Sequence, residues 1–527
     1  MIVHATHLSS VLGNYKLLIW SALLLVVTSI AWQTINSWYR LRHVKGPFIA
    51  GFSNLWLIRH VSGSTMHLDL AEVCEKYGRV HASSLFSQNK SLIQTTTGSI
   101  ARVGHDTLVT SDPNLMRRML AVRTPYKRSD WYDGMRLDPS RDNVLSERND
   151  EKHNELRAKM AAGYSGKEVE NLEKTIDRNV FNLVQLIEKK YLSTESDFKP
   201  CDFGRKAQYF TLDVISDVAF GEAFGDIATD SDVHEYIKTT EETLPAIIMT
   251  TVLPWLLWLL SSPLLKSLLP SEKDQLGLGK VMGIAKQVVG ERFGRNKKIQ
   301  NDMLGSFIRH GLTQKEAESE TLVQILAGSD TTATAIRATL LHLITSPRVL
   351  STLLAEIRKA APSSPITDSE AKEMPYLQAV IKEGLRIFPP VTGLMSKVVP
   401  PGGDTFNDIF LPEGTKIGYC AWGIFRNKEI FGEDVNVFRP ERWLEDFNPV
   451  EKIRERELTL ELIFGYGRWQ CLGKNVAMIE LNKVFVELLR RFELEIVDPT
   501  KPWHSFNVGI FMQSEMWLRA SKRDEIL

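Results

Sequence analysis

A single cysteine sits in a glycine-rich turn, FGYGRWQCLGK from Phe464 to Lys474, directly ahead of an apolar pattern of helical spacing. Gly465, Gly467 and Gly473 remove side chains on both sides of Cys471, so a bulky planar partner can approach the backbone and amide hydrogens are left to point at the sulfur. The helix expected from Leu472 through Arg491 puts its positive end beside the thiol and lowers its pKa toward thiolate. Such a sulfur serves as a nucleophile, a redox thiol or a metal ligand. The local sequence supplies neither a histidine or acid to activate a nucleophile nor a resolving cysteine. Ligation remains. Zinc needs further cysteines or histidines at ligand spacing, whereas haem takes one cysteine because the porphyrin supplies four ligands. The usual role of a free cysteine, a small buried hydrophobe, fits this setting poorly. The turn also fails the GxGxxG fingerprint, since Gln470 holds the last glycine place.

Two other groupings carry chemistry. AGSDTT, Ala327 to Thr332, puts small and polar residues in the middle of a long apolar helix, which is costly unless something needs room or a hydroxyl there. Close helix packing through Ala and Gly, with threonines bonding back one turn, explains the residues equally well. Glu383 and Arg386 stand three apart on one helical face, an arrangement that on a surface is an ordinary ion pair. FRPERW, Phe438 to Trp443, is a loop carrying Arg439, Glu441 and Arg442.

These residues need elements to position them. Thr313 and Glu316 form a capping box, and the pattern behind them runs to Thr345 before Ser346-Pro347 starts another helix. That helix of about 30 residues is roughly 45 Å long, enough to cross a domain. Pro375 opens a helix ending at Phe388-Pro389-Pro390. Residues 151–192 and the stretch from Phe210 have helical spacing, while 80–110 alternates as strands, so sheet is early and minor and the bulk is α. Asp112-Pro113 reads as a helix cap and first turn. The run Thr243 to Leu265 is uncharged, but Pro245, Pro254 and Pro263 make it a surface segment that dips into a membrane or lines an entrance for a greasy ligand rather than a span.

Lysine plus arginine equals aspartate plus glutamate at 64 each, so no global field draws nucleic acid. Cys74, Cys201, Cys420 and Cys471 are far apart without CxxC spacing, which argues against a disulfide framework or zinc ribbon and for a reducing compartment. Leu17 to Tyr39 lacks charge and is long enough to span a bilayer, with Arg40, Arg42, His43 and Lys45 behind it. Residues 1–45 therefore read as an anchor and basic linker that keeps 46–527, a single catalytic domain, on the cytoplasmic side. The sequon Asn89-Lys90-Ser91 matters only in a secretory lumen.

Taken in order, these motifs resemble those of a membrane-anchored cytochrome P450, a haem-thiolate monooxygenase, over nearly the whole chain. Phe464, Gly467, Cys471 and Gly473 match the family's cysteine loop, AGSDTT its oxygen helix, Glu383-x-x-Arg386 its ExxR element and FRPERW its meander. The stretch from Val398 to Gly432 resembles fungal enzymes of the pisatin-demethylase-like type. The resemblance implies a mainly α fold with small antiparallel sheets around a buried haem b, with Cys471 as axial ligand to the iron. It implies proton delivery by Thr331 with Asp330 beside it, space for oxygen at Ala327 and Gly328, and a structural triad of Glu383, Arg386 and Arg442. The family's arginine two before the cysteine is replaced by Trp469, which leaves the haem propionates to His153 and Arg157 in the segment His153-Asn-Glu-Leu-Arg157, with Arg468 as a further candidate. Electrons then come from an NADPH-cytochrome reductase at the endoplasmic reticulum membrane, docking on Lys152, Lys159, Arg468 and Lys474. Substrate contacts are expected from Ser129 to Val144, Leu244 to Leu260, the oxygen helix before Ala327, Val391 to Met395 and Val508 to Phe511, implying a lipophilic substrate of secondary metabolism. A reductase-independent haem-thiolate isomerase or dehydratase shares the fold, though Asp330-Thr331 speaks against it; a non-enzymatic haem protein is the reading from another class.

Overall fold

The computed structural model describes residues 2–78, 100–295 and 297–524. Most of the strand-rich stretch expected at 80–110, and the sequon at Asn89, lie outside them.

Helix α1 runs from Ile2 to Leu41. Its apolar side chains Trp20, Leu25 and Trp32 are exposed, while Leu41 at its end is buried. Among the described residues no single helix is long and apolar enough to cross a membrane. The helical pattern of 151–192 is broken in two: α2 spans Asp150–Tyr164, and the chain re-enters helix at Leu172 after left-handed Gly166 and Asn171.

The centre is built from α3 (Phe203–Phe220), buried along nearly its whole length, and α6 (Gln314–Ile344), 31 residues started by the Thr313/Glu316 capping box. A Cβ on Gly328 of α6 would meet Ile215 of α3 at 2.7 Å, so the missing side chain is what lets these helices touch. Gly384 does the same for α7 (Pro375–Ile387), where a Cβ would fall 1.9 Å from Thr339 Oγ1. Between them α4 (Tyr236–Val252) and α5 (Pro254–Leu260) meet at 110°. Pro254 starts α5 while Pro245 sits inside α4, which continues past it. One face of α4 is buried through Leu244 and Ile248, and α5 shows Trp255 and Trp258 to solvent. The last long helix, α8, is Lys474–Leu489; it begins later than its apolar pattern suggests because Gly473 takes the N-cap position and Cys471-Leu472 stay in the turn.

Sheet is minor but not confined to the early chain. Five short strands order as Ile100–Arg102, Thr107–Thr110, Lys416–Tyr419, Lys397–Val398 and Lys127–Arg128. The second and third pair in parallel, a departure from the all-antiparallel expectation. A further sheet joins Cys201–Asp202, Trp517–Lys522 and Phe492–Ile496, and His504–Asn507 with Phe511–Ser514 forms a hairpin. In the first sheet the register places Arg128 directly opposite Lys397.

Candidate active site

The cysteine turn is held by its own backbone. The Cys471 amide donates to the Phe464 carbonyl at 2.6 Å, closing the loop. Gly465 and Gly467 both have left-handed φ, at +73° and +59°. Gly467 is pressed against the chain at Leu120, where a Cβ would fall 2.4 Å from the carbonyl oxygen, so it serves a close backbone contact rather than the approach of a planar partner. At Gly473 a Cβ would meet only the Cys471 sulfur, at 3.8 Å, and that flank is open. Cys471 keeps accessible surface although protein lies around its sulfur. Burial pushes its thiol above the ordinary value. The amides of Gly473 and Lys474 and the charges of Arg157 and Lys474 pull the other way, so in the protein alone the helix end moderates the thiol but does not make it a thiolate. A cation bound at the sulfur would complete that shift.

Against the turn lies a cluster in which the sequence pointed to His153 and Arg468 but missed Arg128 and Lys397. Arg128 and Lys397 are cross-strand neighbours, 6% and 1% exposed. Like charges directly opposite on a sheet repel. The Trp469 indole lies between them, with the Lys397 ammonium 3.6 Å and the Arg128 guanidinium 4.2 Å from its ring. His153 packs against the same indole at 4.4 Å with the rings tilted by 41°. Arg128 donates to the carbonyls of Val144 and Glu147 through Nη1, and Arg468 pairs with Asp150 at 3.3 Å. Yet Lys397 Nζ, Arg128 Nε, Arg468 Nε and Trp469 Nε1 are buried with no acceptor. Burial, then Arg128 and Arg468, hold the Lys397 ammonium far below its usual range; burial takes Arg128 to about 10. Burial and Arg128 push His153 down to about 3.

Four unmet buried donors around one indole call for a dianion, since such groups are normally satisfied. Two propionates beside a sulfur ligand are what iron protoporphyrin IX presents, and the donor set fits it. Trp469, which looked like a loss of the propionate arginine, brings a donor of its own and packs the cations. The available signal was weak: Lys397 is a lone cation between apolar residues in MSKVVP. Arg157 lies near the Cys471 sulfur.

On α6, Ala327 is open although the preceding turns are buried, and the Thr331 hydroxyl one turn on donates to the Ala327 carbonyl at 2.8 Å. Asp330 points elsewhere. Its carboxylate accepts from Gln208 Nε2 of α3 at 2.5 Å and from the Tyr236 hydroxyl of α4 at 2.8 Å. Burial raises it to about 6, against the stabilising pull of Tyr236 and Arg337. Adjacent in sequence, Asp330 and Thr331 thus project to different sides, and Gly328 faces Ile215 rather than open space.

Glu383 is wholly enclosed. It accepts from Arg386 at 2.8 and 2.9 Å, from Arg442 Nε at 2.9 Å, from the Trp443 indole at 2.9 Å and from the Arg439 amide at 2.9 Å. The two arginines spend their remaining donors on carbonyls such as those of Phe425 and Phe431. Four of the five segments expected to contact substrate meet in one apolar cluster that includes Trp131, Met135, Leu244, Leu394 and Val508, whereas the oxygen helix before Ala327 packs its Leu322, Val323 and Ile325 into the central core. The expected docking cations do not form a free basic face: Lys159 pairs with Glu155 and Glu316, Arg468 with Asp150, and Lys474 lies 3.7 Å from Glu461. All four cysteines are free.

Residues 79–516 match the family model described as Cytochrome P450. The chain belongs to the cytochrome P450 family, and the helix-rich architecture with small sheets is that family's fold. It is 41% identical over 515 residues to "Cytochrome P450 monooxygenase ABA1" of Pyricularia oryzae, covering 96% of this chain and 97% of that one. It is 38% identical over 494 residues to "Cytochrome P450 monooxygenase aba1" of Botryotinia fuckeliana, covering 92% of each. Pisatin demethylase of Fusarium vanettenii is 29% identical over 502 residues, covering 92% of this chain and 91% of that one.

Proposed function

We propose that this cytochrome P450 monooxygenase oxidises a lipophilic small molecule of secondary metabolism, drawing electrons from an NADPH-cytochrome reductase at the endoplasmic reticulum. The observation that carries it is the pairing of one amide-lined sulfur, Cys471, with four unmet buried donors in a single site. Haem b bound there supplies dioxygen activation, one oxygen atom going to the substrate and the other to water. Cys471 would bind the iron through its sulfur, in the turn that begins at Phe464. Arg128, Lys397, Arg468, Trp469 and His153 would hold the propionates, with Arg157 nearby.

The protons come from water and are relayed by the chain. Thr331 Oγ1 gives up its hydrogen bond to the Ala327 carbonyl and passes a proton into the space that the small Ala327 side chain leaves open. Asp330, raised by burial to about 6, would resupply it on turning away from Gln208 and Tyr236. Glu383, Arg386 and Arg442 hold the segment 425–443 on α7 and do no chemistry. The apolar cluster of Trp131, Leu244, Leu394 and Met512 keeps water from the substrate. Residues 46–527 act as one catalytic domain anchored by α1, with Trp255 and Trp258 of α5 resting in the membrane surface near the apolar entrance.

A carbon monoxide difference spectrum of the reduced protein tests the site: a thiolate-type band in the wild type that is lost in Cys471→Ser, with an unchanged band overturning it. Thr331→Ala tests the proton path. It keeps the haem content and raises peroxide released per NADPH several-fold; an unchanged peroxide yield removes Thr331 from the path.

A further inference from the structure

Residues 136–147 have neither helix nor strand, yet the segment is closely tied down. Part of the tying is internal. Arg136 pairs with Asp142 at 2.7 Å, and the Ser146 hydroxyl donates to the same carboxylate at 2.9 Å. Asn143 Oδ1 accepts from the amides of Leu145 and Ser146, while its Nδ2 donates to the Met135 carbonyl at 3.1 Å. Three further ties bind the segment to consecutive residues of α6. Arg141 reaches Glu318 at 2.8 Å, the Ser319 hydroxyl donates to the Asp142 carbonyl at 3.3 Å, and the Val144 amide donates to Glu320 Oε1 at 2.7 Å.

The three ties are unequal. The Arg141 side chain is 30% exposed, so its pair with Glu318 is screened and weak. Glu320 is 2% exposed, and there a lost partner is costly. Burial raises its carboxyl to about 8; the Val144 amide and Arg128 oppose that rise and Glu316 adds to it. Near neutral pH the group is therefore largely uncharged and accepts through its carbonyl oxygen. Val144 is held from the other side as well, because Arg128 Nη1 donates to its carbonyl at 2.8 Å. Its neighbours belong to the substrate space. Leu145 packs against both the apolar cluster and the central core, and Asn143 holds Met135 of that cluster. Helical period puts Glu320 on the face of α6 that carries Ala327 and Thr331, about 10 Å before Ala327.

We propose that Glu320 is a positioning residue that sets substrate selectivity: by holding the Val144 amide it fixes Leu145 and Met135 as one wall of the substrate space. The inference rests on the reading of this site as one that binds haem and a lipophilic substrate. Without its acceptor the Val144 amide turns to water, and the wall is formed in a smaller fraction of molecules. The affinity for a ligand that reaches the wall falls by that fraction. A ligand too small to reach it is indifferent.

The test uses the haem-loaded full chain and two iron-binding probes followed by the Soret shift: imidazole, and 4-phenylimidazole, whose phenyl ring extends further from the iron. Glu320→Leu, close in size and without an acceptor, lowers the 4-phenylimidazole affinity about 10-fold and leaves that of imidazole unchanged. Glu320→Gln keeps a carbonyl oxygen and binds both probes as the wild type does. Glu318→Ala, which breaks the exposed tie, also binds both as the wild type does. The proposal is overturned by a wild-type ratio of the two affinities in Glu320→Leu, by a Glu320→Gln that fails as the leucine variant does, or by an equal loss in Glu318→Ala. Amide hydrogen exchange of the unliganded wild type needs no variant: residues 142–147 exchange slowly, and fast exchange there overturns the proposal too. Imidazole binding and the carbon monoxide band report on the haem site itself, so a failure here is separate from a failure of the Cys471 reading.

Discussion

The Glu383 cluster and the Trp469 cluster are both buried and both rich in arginine, yet one is complete and the other is not. Around Glu383 each guanidinium meets a carboxylate and carbonyls, and none of the side-chain polar atoms of Glu383, Arg386 or Arg442 lacks a partner. Around Trp469 the cations meet one another across a strand pair, and four donors have no acceptor. A satisfied buried network adds rigidity to the fold, whereas an unsatisfied one costs stability and is kept where something else completes it. The difference sets a cluster that is complete in itself apart from one that leaves donors for a further partner.

The largest effect comes from breaking the complete cluster. Glu383→Ala leaves two buried guanidinium groups unpaired, and the cost of about 3 to 5 kcal/mol is enough to remove most soluble protein. Chemical denaturation of whatever folds, or its yield, measures this; a variant as stable as the wild type refutes the structural role. Lys397→Met sharpens the contrast because its two effects have opposite sign. Without haem the variant gains on the order of 1 kcal/mol by losing an unpaired buried cation, while haem retention falls about 10-fold to 100-fold through loss of a charge-assisted bond. A variant that is destabilised in both states places Lys397 with the complete cluster instead.

The smallest expected effect is on pH dependence. Burial holds the folded-state values of His153 at about 3 and of His67 and His342 at about 4, all below the ordinary 6.5. The unfolded chain therefore binds more protons between pH 6.5 and those values, and stability falls as pH falls through that window. In the haem-free protein His153→Asn removes one of the three, flattening the acid slope by up to about 1.4 kcal/mol per pH unit. An unchanged slope means His153 is already protonated in the fold.

Local patterns account for much of the architecture. Thr313 and Glu316 start α6, Pro375 starts α7, and Asp112 caps the helix behind it, because each cap satisfies its own backbone within a few residues. In the apolar run at Thr243 to Leu265 the bend falls at Pro254, while Pro245 is carried inside α4. Reading fails where partners are distant. The break between α2 and Leu172 depends on left-handed residues that spacing does not reveal. Gly328 and Gly467 look like clearances for a ligand, but only the packing shows them facing Ile215 and Leu120.

By itself the sequence determined that one sulfur sits in a glycine turn ahead of a helix, that a long helix carries Ala327 and Thr331 on one side, and that Glu383 and Arg386 share a face. These are consequences of helical period and of turns closed within a few residues. Tertiary structure alone decided that Arg128 and Lys397 stand opposite each other with Trp469 between them, and that Asp330 turns to Gln208 and Tyr236 instead of Thr331. A charge leaves no periodic trace of its partner; strand register and helix packing choose that partner when they bring distant segments together.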